Sequence, residues 1–223
     1  MAGNTGMRRM VAAPDPIQAQ KFATQRPFSP EDLSQPLYDR VNYPAAGTAN
    51  LTFFADQLGR SVTLIQSGAT ATKAKTYRDT NMDNGGVVPT KRYTFIGLAM
   101  NYIPAQQAVA NALTANIGDD LMRLKNGGYI EFRIVDKPLL YLPLNLVPES
   151  QPVNSISSTA NNVTIIGQGG GASIPFPMYK FSIPITLNPY ENFRFIAYFD
   201  NSPALTQSYD IQTVFHAYMR RPS

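Results

Sequence analysis

The 223-residue chain has no cysteine, no tryptophan and a single histidine, His216. Without cysteine there is no disulfide framework, no thiol nucleophile and no thiolate metal site. One histidine among sparse acids argues against a zinc centre, and against cupin-like metal chemistry, which gathers two or more histidines and a glutamate around the ion. His216 lies inside an apolar C-terminal run, where a lone histidine reads as a packing or interface residue, and no G-x-S-x-G elbow occurs. The expectation is a protein that is not an enzyme, holds no cofactor and takes no small-molecule substrate.

Charge is scarce as well. Asp, Glu, Lys and Arg make up 15% of the chain, against about 25% in ordinary soluble domains. A surface so poor in charge suits coverage by a partner. No apolar run reaches the roughly 18–20 residues that span a bilayer, and "MAGNTGMRRMVAAPDP" lacks the apolar core of a signal peptide. A soluble protein without a classical export signal is expected. The formal charge is +4 and dispersed. Its concentrations are terminal: Arg8 and Arg9 near the start, and Arg220 and Arg221 at the end. Solvated termini are the favoured reading, and contact of these basic ends with nucleic acid or an internal membrane is the weaker one.

Proline and glycine, by contrast, are plentiful, at 18 and 15 residues. Pro14, Pro16, Pro27, Pro30, Pro36 and Pro44 interrupt every helix and bar central strands over residues 1–48, which predicts an extended N-terminal arm. Its aromatics, Phe22, Phe28 and Tyr38, are candidates for contact with the same domain or a neighbouring copy. From residue 49 to 223 the pattern is β: runs of Phe, Tyr, Ile, Val and Thr punctuated by Gly, Pro and Asn. Nine strands are predicted, at 51–54, 61–65, 91–103, 129–135, 139–147, 162–166, 179–187, 192–199 and 209–219. A sandwich or barrel is the economical way to bury them. One helical stripe interrupts them near 104–126, where Val109, Leu113, Ile117, Leu121 and Leu124 recur at helical spacing. Gly118 is expected to break it, Asp119 to recap it and Gly127 to end it.

Two motifs invite chemistry. In "DTNMDNGGVVPT" Asp79, Asn81 and Asp83 alternate as calcium ligands do, but the sixth position is Asn84, the twelfth is Thr90, and no helices flank them. A turn carried by Asn84-Gly85-Gly86 is the favoured reading, and a looser calcium site at Asp79, Asn81 and Asp83 the weaker one. "VTIIGQGGGA" (163–172) imitates a dinucleotide fingerprint, yet Pro175 and Pro177 forbid the helix that would hold a pyrophosphate. A glycine loop is expected there. The basic run "TKAKTYR" (72–78) reads as a solvated loop.

The whole resembles the single jelly-roll capsid proteins of icosahedral viruses, tailless bacteriophages above all. The stretches that carry the likeness are "DTNMDNGGVVPTKRYTFIGLAMNYI", "LKNGGYIEFRIVDKPLLYLPLNLVP" and "YKFSIPITLNPYENFRFIAYFD", within residues 50–219. The resemblance implies an all-β jelly-roll antiparallel sandwich of two four-stranded sheets, with the arm reaching to neighbours or inward. It also implies a virion protein made in the host cytoplasm, whose partners are its own copies and other capsid proteins. At 223 residues the chain is short for a double jelly roll, which leaves minor-shell, vertex and decoration roles open. A receptor- or carbohydrate-binding module is the alternative, weakened by the absence of tryptophan.

Overall fold

A computed structural model describes residues 32–105, 117–149, 155–159, 162–166 and 178–220. Its body is two antiparallel sheets laid face to face. The first joins β1 (Asp32–Ser34) and β2 (Leu37–Tyr43) along one edge of β13 (Tyr209–Arg220), then continues through β6 (Arg92–Pro104) to β11 (Tyr179–Leu187). The second runs β3 (Asn50–Phe53), β12 (Phe193–Phe199), β7 (Gly128–Ile134) and β8 (Lys137–Pro143). Two hairpins lie outside these sheets: β4 (Ser61–Gln66) with β5 (Ala69–Ala74), and β9 (Ser155–Thr159) with β10 (Asn162–Ile166).

The pairings nest. β7 pairs with β8, β6 with β11, β3 with β12, and β2 with β13. Of the connections along these eight strands, only β7 to β8 stays within its sheet. The hydrophobic alternation explains the layers: in β12 the residues Phe193, Phe195, Ala197 and Phe199 are buried while Arg194, Ile196 and Tyr198 face outward. Phe215 of β13 is the hub of the core. Its ring centroid lies 4.7 Å from that of Phe95, 5.1 Å from Phe195, 5.2 Å from Phe132 and 5.8 Å from Phe54. Rings from both sheets therefore interlock, and each such side chain contributes about 1.5–3 kcal/mol by burial.

A strand lies at each of the nine expected places, with four differences. The run expected as strand over 139–147 is strand only to Pro143, after which Leu144–Leu146 turn as a 3-10 helix. Residues 32–43, read as arm, form the edge strands β1 and β2 instead. Pro36 and Pro44 bound β2 rather than break it, since neither needs to donate to a ladder from its position between or beyond the strands. β5 and β9 were also unexpected: "ATATKA" and "SISST" carry few strong strand formers. Of the helical stripe expected near 104–126 the described part is α1 (Ile117–Asn126), with Gly118 in its first turn; Val109 and Leu113 lie outside the described residues. Asp119 and Asp120 are in that first turn, and the Gly127 N–H closes the last one on the Arg123 carbonyl at 3.0 Å. Pro143 and Pro184 both lie in strands at sheet edges, β8 and β11, where they limit further pairing. In β11 the register slips between Lys180 and Ile185, so that Pro184 occupies an irregular stretch.

Candidate functional site

Two polar constellations stand out. The first grows from "LYDRVNY" in β2. Because side chains alternate across a strand, Arg40 points away from the aromatic core, and there it meets the β4–β5 hairpin and the loop that follows it. Arg40 Nη2 lies 2.6 Å from Asp210 Oδ2 of β13, and Nη1 lies 3.5 Å from Asp79 Oδ1. Lys73 Nζ of β5 reaches Asp79 at 2.9 Å. Lys75 Nζ pairs with Asp39 at 2.7 Å, and the same carboxylate accepts the Phe54 N–H at 2.6 Å. Asp210 also accepts the Ile65 N–H at 2.8 Å and the Asn42 amide at 2.7 Å. Three cations and three carboxylates are thus balanced, and all but Lys73 are buried.

Burial pushes the Asp39 carboxyl up despite Lys75. At Asp79 burial is outweighed by hydrogen bonds from Lys73 and Thr76, and its pKa falls. The network therefore fastens the hairpin and the 76–82 loop onto β2 and β13. Both oxygens of Asp79 are engaged by protein donors. Asn81 accepts the Tyr38 N–H and donates to the Pro36 carbonyl, while Asp83 pairs with Lys91 at 3.3 Å on the surface. The three residues are turned to separate partners rather than to a common point, and no cluster of three or more metal-ligating acids or histidines occurs among the described residues. The basic run read as solvated is corrected in part: Lys73 and Lys75 are ion-paired and Lys75 is buried, while Arg78 is exposed. The sequence could not reveal the network, since its members are remote: Lys75 and Asp39 lie 36 residues apart, and Asp210 lies 145 residues from Ile65 and 168 from Asn42.

The second constellation is on the solvent face of the second sheet, where the register sets residues in rows. Asn50, Tyr198, Tyr129 and Pro143 make one row; Thr52, Ile196, Glu131 and Tyr141 make the next. Tyr129 and Tyr198 stack at 5.1 Å with rings 21° apart. Glu131 lies among them and is only 2% exposed although its strand face is the outer one. Its Oε1 pairs with Arg133 Nη2 at 2.6 Å, and its Oε2 accepts the Tyr198 hydroxyl at 3.2 Å. Burial opposes its ionisation, but hydrogen bonds from Arg133, Tyr141 and Tyr198 prevail and hold its pKa below the ordinary value. Tyr141 itself is 58% exposed. Glu131 and Arg133 thus balance each other among the tyrosines, while Arg194, opposite Arg133 in the register, stays exposed on the same face.

The remaining sequence candidates are scattered. Tyr38 is half-buried in β2, its hydroxyl donating to the Tyr77 carbonyl. Arg220 is exposed at the end of β13, opposite Asp32 and Arg92. Arg8, Arg9, Phe22, Phe28 and Arg221 lie outside the described residues, as does the glycine loop after β10. His216 is half-buried in β13 with its Nε2 lacking a hydrogen-bond partner, and burial lowers its pKa. Asp120, in the first turn of α1, is buried and accepts hydrogen bonds from the Thr206 N–H at 3.1 Å and the Tyr209 hydroxyl at 3.2 Å, tying α1 to the segment before β13.

No family model, curated protein or solved structure matches the chain.

Proposed function

We propose that the protein is a structural component of an icosahedral virion, a single jelly roll that assembles with its own copies or docks onto a shell of other capsid proteins. The observation that carries this reading is the nested pairing of β7 with β8, β6 with β11, β3 with β12 and β2 with β13. Nesting of that kind is what a long hairpin rolled into two four-stranded sheets produces, and jelly rolls of eight strands recur in capsid domains. Six of the seven connections cross between the sheets, and among the described residues the β4–β5 hairpin covers part of the first sheet's outer face while the second sheet's outer face carries no such cover. Binding energy is then spread over broad faces, and no reacting residue is called for. The scarcity of charge agrees, since interface cores are depleted in charged residues. Fold alone does not fix function, so the test is assembly itself.

Light scattering and negative-stain microscopy of the full chain across a concentration range, with and without millimolar calcium, provide that test. Trimers, pentamers or shell-sized particles are the expected result. Calcium-dependent assembly would bring back Asp79, Asn81 and Asp83 as ligands. A monomer of 24.5 kDa at every concentration, alone and with calcium, would overturn self-assembly and favour a decoration or receptor-binding module.

A further inference from the structure

We propose that Lys75 and Asp39 are joined by an amide bond that the folded chain forms on itself, linking Lys75 Nζ to Asp39 Cγ with release of one water. This self-modification lies beyond the assembly reading and does not depend on it.

The two reacting groups are held together in a dry place. Lys75 Nζ stands 2.7 Å from Asp39 Oδ1, and the two side chains are 1% and 0% exposed. The lysine backbone is fixed on both sides: its N–H donates to the Arg60 carbonyl and its own carbonyl accepts the Gly59 N–H, each at 2.9 Å. On the acid, Oδ2 accepts the Phe54 N–H at 2.6 Å. Phe54 aims that N–H from left-handed backbone, at φ 62°, although it is a bulky and fully buried residue. Such strain costs free energy and gathers at sites where geometry serves chemistry. Directly across the ladder from Asp39 is Thr213 of β13, whose Oγ1 is buried with no hydrogen-bond partner among the described residues. Residues opposed in this way share a face, with Cβ atoms about 4.5–5.5 Å apart.

This arrangement suits condensation of an acid with an amine. Removal from water favours the uncharged form of the pair, amine beside carboxylic acid, over ammonium beside carboxylate, and burial pushes the Asp39 carboxyl up despite Lys75. A proton crosses from Nζ to Oδ1, and the nitrogen lone pair then attacks Cγ. As the Nζ–Cγ bond forms, the carbonyl electrons move to Oδ2, where the Phe54 N–H already points, as a donor in an oxyanion hole does. The nitrogen passes a second proton to the Oδ1 hydroxyl by way of the Thr213 hydroxyl, which can accept one proton and donate another. The Cγ–Oδ1 bond breaks and water departs. One ammonium and one carboxylate have become one amide and one water, so no further reactant is needed. Well-oriented groups react with effective molarities of about 10⁵ M or more, and the closed site keeps out the water that would reverse the step.

Lys73 and Asp79 provide the contrast. Their atoms are as close, at 2.9 Å, but Lys73 is 21% exposed. Burial alone would raise the Asp79 pKa, yet hydrogen bonds from Lys73 and Thr76 outweigh it and lower it. A carboxylate kept ionised is a poor electrophile, so this pair stays ionic. The Lys75–Asp39 bond closes a loop between residues 36 apart in sequence and adds a covalent tie to the ionic ones that hold the β4–β5 hairpin.

The test is intact mass spectrometry of the full chain under denaturing conditions, with peptide mapping, for wild type and Lys75→Met. Free amines are also acylated after unfolding. The expected wild type is lighter than its sequence by one water, yields a branched peptide joining Lys75 to Asp39, and acylates at Lys73 but not at Lys75. Lys75→Met should keep its full sequence mass. The branched peptide is sought in the wild type itself, so the test stands even where the variant fails to fold. A wild type at full sequence mass with Lys75 acylated would overturn the inference. So would a water loss that persists in Lys75→Met, which marks ring closure elsewhere, or a branch joining Lys73 to Asp79 instead.

Discussion

Replacing Arg40 by methionine is the sharpest probe of how the β4–β5 hairpin is attached. Arg40 is 4% exposed, and it is the cation closest to Asp210, at 2.6 Å, while sharing Asp79 with Lys73. Methionine keeps most of the side-chain volume but leaves the Asp210 carboxylate buried with only the Ile65 N–H and the Asn42 amide for compensation. Breaking a buried pair from one side costs about 3–5 kcal/mol, because the remaining charge is uncompensated. For a domain of this size about 1 kcal/mol moves the melting temperature by roughly 2–4 °C, so a fall of about 6–20 °C is expected. The assay is thermal unfolding followed by circular dichroism, repeated for Asp210→Asn and for the double variant. Neutralising Asp210 in the Arg40→Met background should recover part of the loss, giving a coupling of roughly 1–3 kcal/mol. A cost below about 1 kcal/mol, the level of a surface pair, together with additive single effects, would refute the claim that the hairpin is held by buried charge.

Two further outcomes are open to measurement. Val135 lies in the β7–β8 turn at φ 55°, left-handed backbone that a β-branched residue resists, and it is exposed. Val135→Gly should therefore raise stability by about 1 kcal/mol or more, and a loss of stability by chemical denaturation would show that the side chain contributes packing there. His216 has its pKa lowered from 6.5 by burial, so below that value the unfolded chain takes up a proton before the folded one. The stability it contributes is present at high pH and is lost as pH falls through 6.5 and then through the folded value. The stability advantage of wild type over His216→Gln should shrink between pH 8 and pH 5; an advantage that stays constant or grows would contradict the burial effect.

The strands of the two sheets were largely legible because each buries one face: "FRFIAYF" alternates as a half-buried strand must, and the outward set Arg194, Ile196 and Tyr198 is read from the same alternation. β2 was hidden for a physical reason. Its outward positions carry Arg40 and its inward ones Asp39, so the apolar period that marks a strand is broken by charges whose partners are remote in sequence. Lys73, Lys75 and Asp79 looked like a polar loop for the same reason. Long-range ion pairing leaves no local period, and only the fold brings Asp210 and Asp79 to the same guanidinium. The tyrosine face was half visible: alternation places Tyr129 and Tyr198 outward, but their stacking depends on the register between β7 and β12, which no single strand encodes.

The correction at β2 changes what removal of the N-terminal region would mean. If residues 1–44 were arm alone, a truncation at residue 44 would leave a folded body. It would in fact delete β2, with Leu37 and Tyr43 from the core and Asp39 and Arg40 from the charge network. Loss of assembly in that truncation would then report unfolding and say nothing about an arm. A cut before Asp32 separates the two effects, since β1 and β2 remain to cover the edge of β13. The same geometry bears on the surface. Arg40, Lys75, Asp39, Asp79 and Asp210 are all interior, so a chain already poor in charge has still less of it facing water. A surface in that condition favours association over dispersal.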